Sequence, residues 1–376
     1  MAIDYNKIRV RVRLDDLAHN YQLLNKASGN AWPVVKSDAY GHGLIEVSRR
    51  LAQEGADTFC VGTAGEGAKL RTSGALNKNE RILCLLGAMD PADAALLLEH
   101  DLIPFVPGPE NLDMLAQAAS GTGKRLRIAL KFDTGMARLG FRPKDVPALA
   151  KQLRACPELI PAMASSHLAC ADDPDKADTV AAQMAEFQQV LDFLAAENFK
   201  VEATLANSAG ILGHQGTHHH AQRAGIAMYG VNPLEGTAWA HLGQGLRPAM
   251  DVDAPVIQVH DLARGRSISY GHTYTADKDM RVAIVAAGYA DGYSRSLSGR
   301  GRMGLHDRQV PILGRVCMQM TAVDVTGLDV KPGDRALLLG GQGPGSVSPN
   351  ELAEWWGTIA YEPFCLLGMN PREYVK

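Results

Sequence analysis

The chain has 376 residues, of which 46% are hydrophobic and 21% charged. That is ordinary globular usage, which excludes wholesale disorder, and the length suits two domains of roughly 100–200 residues, or up to about 250 for an α/β barrel. With 38 basic against 41 acidic residues the formal charge is −3, so no global field draws the chain to nucleic acid or to an anionic membrane.

The opening stretch, MAIDYNKIRVRVRLDDLAHN, is charged throughout and has no apolar leader core. No window reaches the roughly 18 apolar residues of a membrane span, and the chain reads as cytoplasmic. Residues 8–12 alternate like a strand of a second domain's sheet. Asp15 is placed to cap a helix with Leu17, Tyr21 and Leu24 on one face. Unbroken apolar runs follow at 33–36, 58–62, 82–87, 102–106, 126–132, 162–168, 203–208 and 223–229. Unbroken runs suit strands buried on both faces. Amphipathic segments at 44–54, 91–100, 111–119 and 179–198 lie between them. Eight such units in about 200 residues predict a closed (β/α)8 barrel. The weak run at 102–106 decides between eight strands and seven.

Composition changes near Pro233. From about Leu246, alternating runs at 252–259, 267–274, 281–287, 310–325 and 335–339 are separated by Gly, Pro and Asp. They predict a mostly antiparallel β domain. One helix interrupts it, since Ser348, Pro349 and Glu351 form a capping box at its start. The expected fold class is α/β, a (β/α)8 TIM-type barrel followed by this β domain. The boundaries are 1–12 for the strand joining the β domain, 13–240 for the barrel and 241–376 for the β domain.

Barrel chemistry sits at the C-terminal ends of strands. The predicted ends deliver Lys36, Lys131 followed by Arg138, His167, Asn207 with Ser208, and Gly225 and Ile226 with Tyr229. Cations, a histidine and small backbone donors converge without a carboxylate in the set, which calls for an anion such as phosphate. Lys36 ends a buried run and precedes Ser-Asp-Ala-Tyr-Gly-His-Gly. Such a lysine either snorkels to the rim or forms an imine, and the second role needs the neutral amine. The six cysteines form no C-x-x-C pair and read as buried or reactive thiols in a reducing compartment. His214 and 218–220 have no acidic or thiol neighbour at ligand spacing, so they read as a solvated loop and no metal is expected. Asp133 and Asp291 sit in glycine-containing turns, where the carboxylate bonds nearby backbone. Tyr270, read alone, is a strand tyrosine at a core or rim.

The segments VVKSDAYGHG, KFDTGMARLGF, SSHLACAD, ANSAG, QRAGIAMYGVNP, SISYGHTY, GYADGY, GRVCM and TIAYEPFC occur in the order found in alanine racemases, and the chain closely resembles that family from residue 34 to residue 365. The resemblance implies pyridoxal 5'-phosphate as cofactor, a small amino acid as substrate and a homodimer. It implies that Lys36 carries the cofactor covalently and that Tyr270 is the second base, met across the dimer interface. Arg223 then faces the pyridine nitrogen with His167 behind it. Tyr40, Ser208, Gly225, Ile226 and Tyr361 resemble the phosphate contacts, with Asn207 beside them. Arg138 resembles the arginine that also helps hold the substrate carboxylate, and Met318 the backbone donor to it. Lys131 matches a lysine often carbamylated in the family, and Tyr289, Arg295 and Arg315 match the substrate entryway.

Inversion at a carbon needs proton removal on one face and return on the other, which two opposed bases perform. A tyrosine is a poor base at neutral pH, so cations are expected to lower its pKa, with His167 and Arg223 the nearest candidates. Gln319 stands where many relatives have Asp, which bears on substrate preference. Ser294 stands where many have Pro, which bears on loop rigidity. The expected reaction is interconversion of L- and D-alanine. The alternatives are a racemase of shifted specificity, for instance for serine, a decarboxylase of similar architecture, and a non-catalytic cofactor carrier. The phosphate segment RAGIAMYG, in place of a triple-glycine loop, speaks against the decarboxylase. A carrier would resemble the barrel alone.

Overall fold

The computed structural model describes residues 6–376. Its backbone divides into two units. The barrel unit holds Leu17–Ala39 and Leu44–Leu246; the β unit holds the residues up to Asp16, Tyr40–Gly43 and Arg247–Lys376.

In chain order, β1 (Arg9–Arg13) belongs to the β unit. Then β2 (Ala31–Pro33), β3 (Thr58–Val61), β4 (Arg81–Cys84), β5 (Ile103–Val106), β6 (Leu126–Lys131), β7 (Leu159–Ser165), β8 (Glu202–Thr204) and β9 (Gln222–Ala224) build the barrel. Strands β3 to β8 pair in sequence, all parallel, and β2 pairs with β9. Closure comes from the backbone: Val34 N–H donates to Ala224 O and Val35 N–H to Cys60 O, both at 2.8 Å, and Arg223 N–H donates to Ala206 O at 3.0 Å. All eight expected strands are present, including the weak fourth, β5, whose four residues are buried on both faces. Parallel neighbours need crossovers, and helices such as Leu44–Gln53, Pro91–Glu99 and Ala177–Ala196 supply them.

The helix Leu14–Ser28 buries Leu17, Tyr21 and Leu24 as its periodicity requires. Asp15 lies inside its first turn and is not the cap. A carboxylate there still complements the positive end of the helix dipole.

The β unit continues with β10 (Met250–Leu262), β11 (Ser267–Ile268), β12 (Tyr274–Thr275), β13 (Met280–Val285), β14 (Arg302–Leu305), β15 (Arg308–Leu313), β16 (Thr321–Asp324), β17 (Arg335–Leu339) and β18 (Arg372–Val375). The order β13-β16-β15-β14-β17-β10-β1-β18, with β10 also pairing β13, closes six antiparallel strands and leaves β1 and β18 as an extension. Irregularities between Val252 and Asp253 and between Val256 and Gln258 let the long β10 bend between its partners. Beside the first, nearly buried Asp253 binds Arg9, Arg11 and Arg335, which pins β1 to β10 and β17. The helix Pro349–Trp356 has the expected capping box between Ser348 and Glu351.

Residues 40–43 pack on the C-terminal end of the β unit at backbone contact. A Cβ on Gly41 would overlap the Phe364 carbonyl, and one on Gly368 would overlap the Gly41 carbonyl. Arg372 Nη1 donates to Gly41 O at 3.0 Å, and the buried His42 ring meets Phe364 edge-on at 4.9 Å. Replacing Gly368, whose φ of −66° any residue adopts, by Ala adds only the clash. Gly368→Ala should therefore lower stability by about 1–3 kcal/mol in urea unfolding. Gly121→Ala, in the helix Pro109–Thr122 with open space around it, should be neutral or stabilising by up to about 1 kcal/mol.

Candidate active site

Past β2, Val34 and Val35 extend the barrel ladder and Lys36 begins a turn, half-buried. The next residues, Ser37, Asp38, Ala39 and Tyr40, all have φ between 52 and 54°. Four consecutive non-glycine residues in the left-handed region cost about 1–2 kcal/mol each, so their neighbours must hold them. The sequence reading placed a glycine-containing loop here and gave no sign of that strain.

Lys131 ends β6, buried, with Nζ donating to Phe132 O at 2.7 Å. Desolvation, reinforced by Arg223 and Arg138 and opposed by Asp133, pulls its pKa to about 7. The chain then doubles back: Phe141 N–H donates to Lys131 O at 2.8 Å and Asp133 N–H to Phe141 O at 2.9 Å. Asp133 Oδ1 accepts the N–H groups of Gly135 and Ala137, both at 3.0 Å, the backbone role expected of it. The loop so closed carries Arg138 into solvent.

Arg223 is only 4% exposed. It donates from Nη1 to Thr204 Oγ1 at 2.7 Å and from Nη2 to Ser166 O at 2.5 Å, and Nη2 lies 3.2 Å from His167 Nδ1. Burial lowers its pKa to about 10, which leaves it charged at neutral pH. A guanidinium has no acceptor, so His167 Nδ1 must accept and the imidazole proton sits on Nε2. Desolvation and the charges of Arg223, Lys131, Arg138 and Lys36 hold His167 well below its usual value. His167 is thus neutral, which corrects the expectation that it acts as a cation with Arg223.

Asn207 caps the short helix Ser208–Gly213 by accepting Gly210 N–H at 3.0 Å. Ser208 Oγ accepts the N–H groups of Gly225 at 2.9 Å and Ala227 at 3.2 Å, so its own proton is left to donate. Ile226 is buried beside them, and Tyr229 O–H donates to Val34 O at 2.8 Å, tying the ends of β9 and β2.

In the β unit, β11 and β12 are the legs of a small hairpin whose tip is left-handed at Ser269, Gly271 and His272. Tyr270 stands on that tip, 70% exposed, where a strand tyrosine of core or rim was expected. Its neighbour Ser269 donates from Oγ to Arg315 O at 2.7 Å and lies 3.6 Å from Cys317 Sγ. The expected single run at 310–325 is two strands, and the loop between them presents Met318, 57% exposed, and Gln319. Tyr289 N–H donates to Cys317 O at 3.1 Å and Ala290 N–H to Met318 O at 2.9 Å, which docks the turn Tyr289–Asp291 on that loop. Asp291 closes this turn by accepting Gly288 N–H at 2.9 Å. Arg315 is half-buried under Gly271, and Arg295 is exposed in the turn Arg295–Leu297. The rings of Tyr40 and Tyr361 lie 5.7 Å apart. Ser294 caps the Arg295 turn through Ser296 N–H at 3.2 Å, a local tie.

His214 and His218 are half-buried, with ring nitrogens 3.2 Å from the carbonyls of Ala171 and Ile211, and His219 meets Phe187 edge-on. These three are packed histidines and not the solvated loop expected, whereas His220 is exposed. Glu66, absent from the expected set, bonds to the turn after Lys36. The capping box Thr63-Ala-Gly-Glu66 was the signal for it in the sequence.

A closed α/β barrel with a cationic mouth, joined in one chain to a closed antiparallel β unit, is the architecture of a two-domain barrel enzyme. Residues 12–233 match the model of the alanine racemase N-terminal domain and residues 249–374 that of the C-terminal domain. The chain is 55% identical over 375 residues to an alanine racemase of Nitratidesulfovibrio vulgaris, covering both chains completely. It is 38% identical to that of Lawsonia intracellularis, covering 97% of this chain and 96% of the relative. Among solved structures it is similar to the alanine racemase of D-cycloserine-producing Streptomyces lavendulae, with a TM-score of 0.92, 32% identity, and 100% and 98% of the two chains covered. It is also similar to that of Bartonella henselae, which has covalently bound pyridoxal phosphate, with a TM-score of 0.87, 26% identity, and 98% and 99% covered. The chain belongs to the alanine racemase family and is an isomerase.

A neutral His167 has a direct signature. In nitrogen-15 NMR spectra it should keep the Nε2–H tautomer and show no protonation midpoint between pH 5.5 and 8, the range about the usual value near 6.5. A midpoint near 6.5 would contradict the donor assignment.

Proposed function

We propose that this enzyme interconverts L- and D-alanine with pyridoxal 5'-phosphate bound at the barrel mouth. The observation carrying the reading is the group of basic side chains around neutral His167: buried Arg223, with Nη2 3.2 Å from its Nδ1, buried Lys131 at the end of β6, and Arg138 and Lys36 near enough to bear on it. A cofactor and substrate that together bring a phosphate, a phenolate and a carboxylate suit that field. The donor set fits the phosphate as well, since Ser208 has a proton to give and the backbone of Gly225 and Ile226 lies beside it. Tyr40, Tyr361 and Asn207 complete the proposed set. When bound, the cofactor supplies an electron sink for the pair left on the substrate's α-carbon.

The chain's own groups do the rest. Lys36 holds the cofactor and acts as the base on one face, and Tyr270 acts on the other. One removes the α-proton and the other returns a proton to the opposite side, so the centre inverts. Arg223, charged and without an acceptor, opposes a second positive charge on the ring nitrogen it faces and so restrains side reactions that need a stronger sink. Arg138 and the Met318 N–H hold the substrate carboxylate. Lys131, with a pKa near 7, is partly a free amine at neutral pH. Its nitrogen can bond to the carbon of carbon dioxide and release a proton, and the resulting carbamate would orient Arg138.

A homodimer is part of this reading. Tyr270, Tyr289 and Met318 are 70%, 43% and 57% exposed, and each would be supplied to the site of a second copy. Arg295 and Arg315 would line the substrate entry. All six cysteines are free thiols, in keeping with a cytoplasmic setting. Gln319, exposed beside Met318, puts a neutral amide near the proposed entry and favours serine as the second substrate to try.

The test is a chiral assay over an amino-acid panel, with α-proton exchange of L-alanine followed in heavy water. Alanine should turn over fastest. Tyr270→Phe should lose about 10²–10⁴-fold in kcat, the range of a positioned acid–base group, and Lys36→Ala should lose the cofactor absorbance with the activity. Co-expressed Lys36→Ala and Tyr270→Ala chains should regain activity in about a quarter of their sites, from random pairing in a symmetric dimer. No recovery would place both bases within one chain.

Arg223→Glu is expected to raise transamination relative to racemisation, read as accumulated pyruvate. An unchanged ratio would overturn the role given to Arg223.

A further inference from the structure

The left-handed turn after Lys36 is held from inside the barrel unit by three hydrogen bonds. Ala39 N–H donates to Val35 O at 2.8 Å, Leu44 N–H to Asp38 Oδ1 at 2.8 Å, and Asp38 N–H to Glu66 Oε1 at 3.2 Å. The last reaches across to the first turn of the helix that follows β3. Glu66 Oε2 accepts the N–H groups of Gly62 at 2.8 Å and Thr63 at 3.3 Å, just past β3, and Thr63 Oγ1 accepts Glu66 N–H at 3.1 Å. A Cβ built on Gly62 would stand 2.9 Å from Glu66 Oε2 and 3.5 Å from Lys36 Cβ. The carboxylate, the end of β3 and the stem of Lys36 are therefore one packed group. One oxygen caps the helix Ala64–Thr72, and the other straps the strained turn.

We infer that Glu66 is a positioning residue for Lys36: its Oε1 holds the backbone of the strained turn and so aims the lysine amine. This rests on the reading of Lys36 as the cofactor-bearing lysine. A carboxylate is required because three N–H donors converge on its two oxygens, and an amide offers only one. In Glu66→Gln the amide oxygen stays with the Gly62 and Thr63 pair, and the NH2 group then opposes the Asp38 N–H. The cap survives and the strap does not. Thr63→Ala does the reverse, removing one half of the capping box and leaving the strap.

The experiment compares wild type, Glu66→Gln and Thr63→Ala as holoenzyme and after cofactor removal. Hydrogen exchange of the peptide covering residues 37–43 is read by mass spectrometry, with thermal midpoints, the rate of cofactor loss on dialysis, and kcat and KM. Glu66→Gln should exchange in that peptide and release cofactor roughly tenfold faster, the effect of one charge-assisted hydrogen bond, with kcat falling more than KM rises. Thr63→Ala should lose thermal stability while exchange in the peptide and cofactor release stay at wild-type rates. Wild-type exchange and release in Glu66→Gln would overturn the inference. So would release rates that simply follow the thermal midpoints of both variants. Borohydride reduction and peptide mapping of the wild type separates the two ideas. An adduct on a residue other than Lys36 sinks the functional reading, while exchange in the cofactor-free protein still reports on the strap.

Discussion

Arg223 is a full charge almost wholly removed from water, and its surroundings are arranged around that fact. An unpaired buried cation is expensive, so Thr204, Ser166 and His167 each offer it an oxygen or nitrogen lone pair. That choice reaches outward. His167 must accept and stays neutral, and Lys131, desolvated and then pressed by the same charge, falls to about 7. A mouth so loaded with positive potential is poised for an anion, and the chemistry proposed for Lys36 needs a field that keeps its amine from being always protonated.

The other constraint is conformational. The turn from Ser37 to Tyr40 is strained on its own and stable only because separate elements hold it. Within the barrel unit the hold comes from Val35, Leu44 and Glu66. Within the β unit, residues 40–43 lie at backbone contact with the helix Tyr361–Leu367. Strain kept in this way tends to fix a reactive side chain more tightly than a relaxed loop would.

Much of this was legible in the residues. Eight buried runs gave eight strands because parallel strands covered on both faces cannot alternate, and the capping box at Ser348 marked a helix start correctly. Lys36, Lys131 and His167 were found at strand ends because barrels present side chains there, whereas Arg223 came only from the family resemblance. What failed had local causes. Tyr270 read as a strand residue because Ser-Ile-Ser-Tyr resembles one, while the tip depends on positive φ at Ser269 and His272, which their residue types do not announce. The protonation of His167 depends on a guanidinium 56 residues away in sequence. Glu66 was missed because its second oxygen finds its partner, the Asp38 N–H, only after the barrel closes.

The contacts of Gly41 and Gly43 join an early part of the chain to nearly its last residues, Phe364 and Tyr374. On the ribosome the segment after Lys36 emerges first and its docking surface last, separated by some 320 residues of elongation. At about 5–20 residues per second the wait is tens of seconds. The barrel can form meanwhile, yet residues 40–43 gain their packing within the β unit only after Phe364 and Tyr374 have been synthesised.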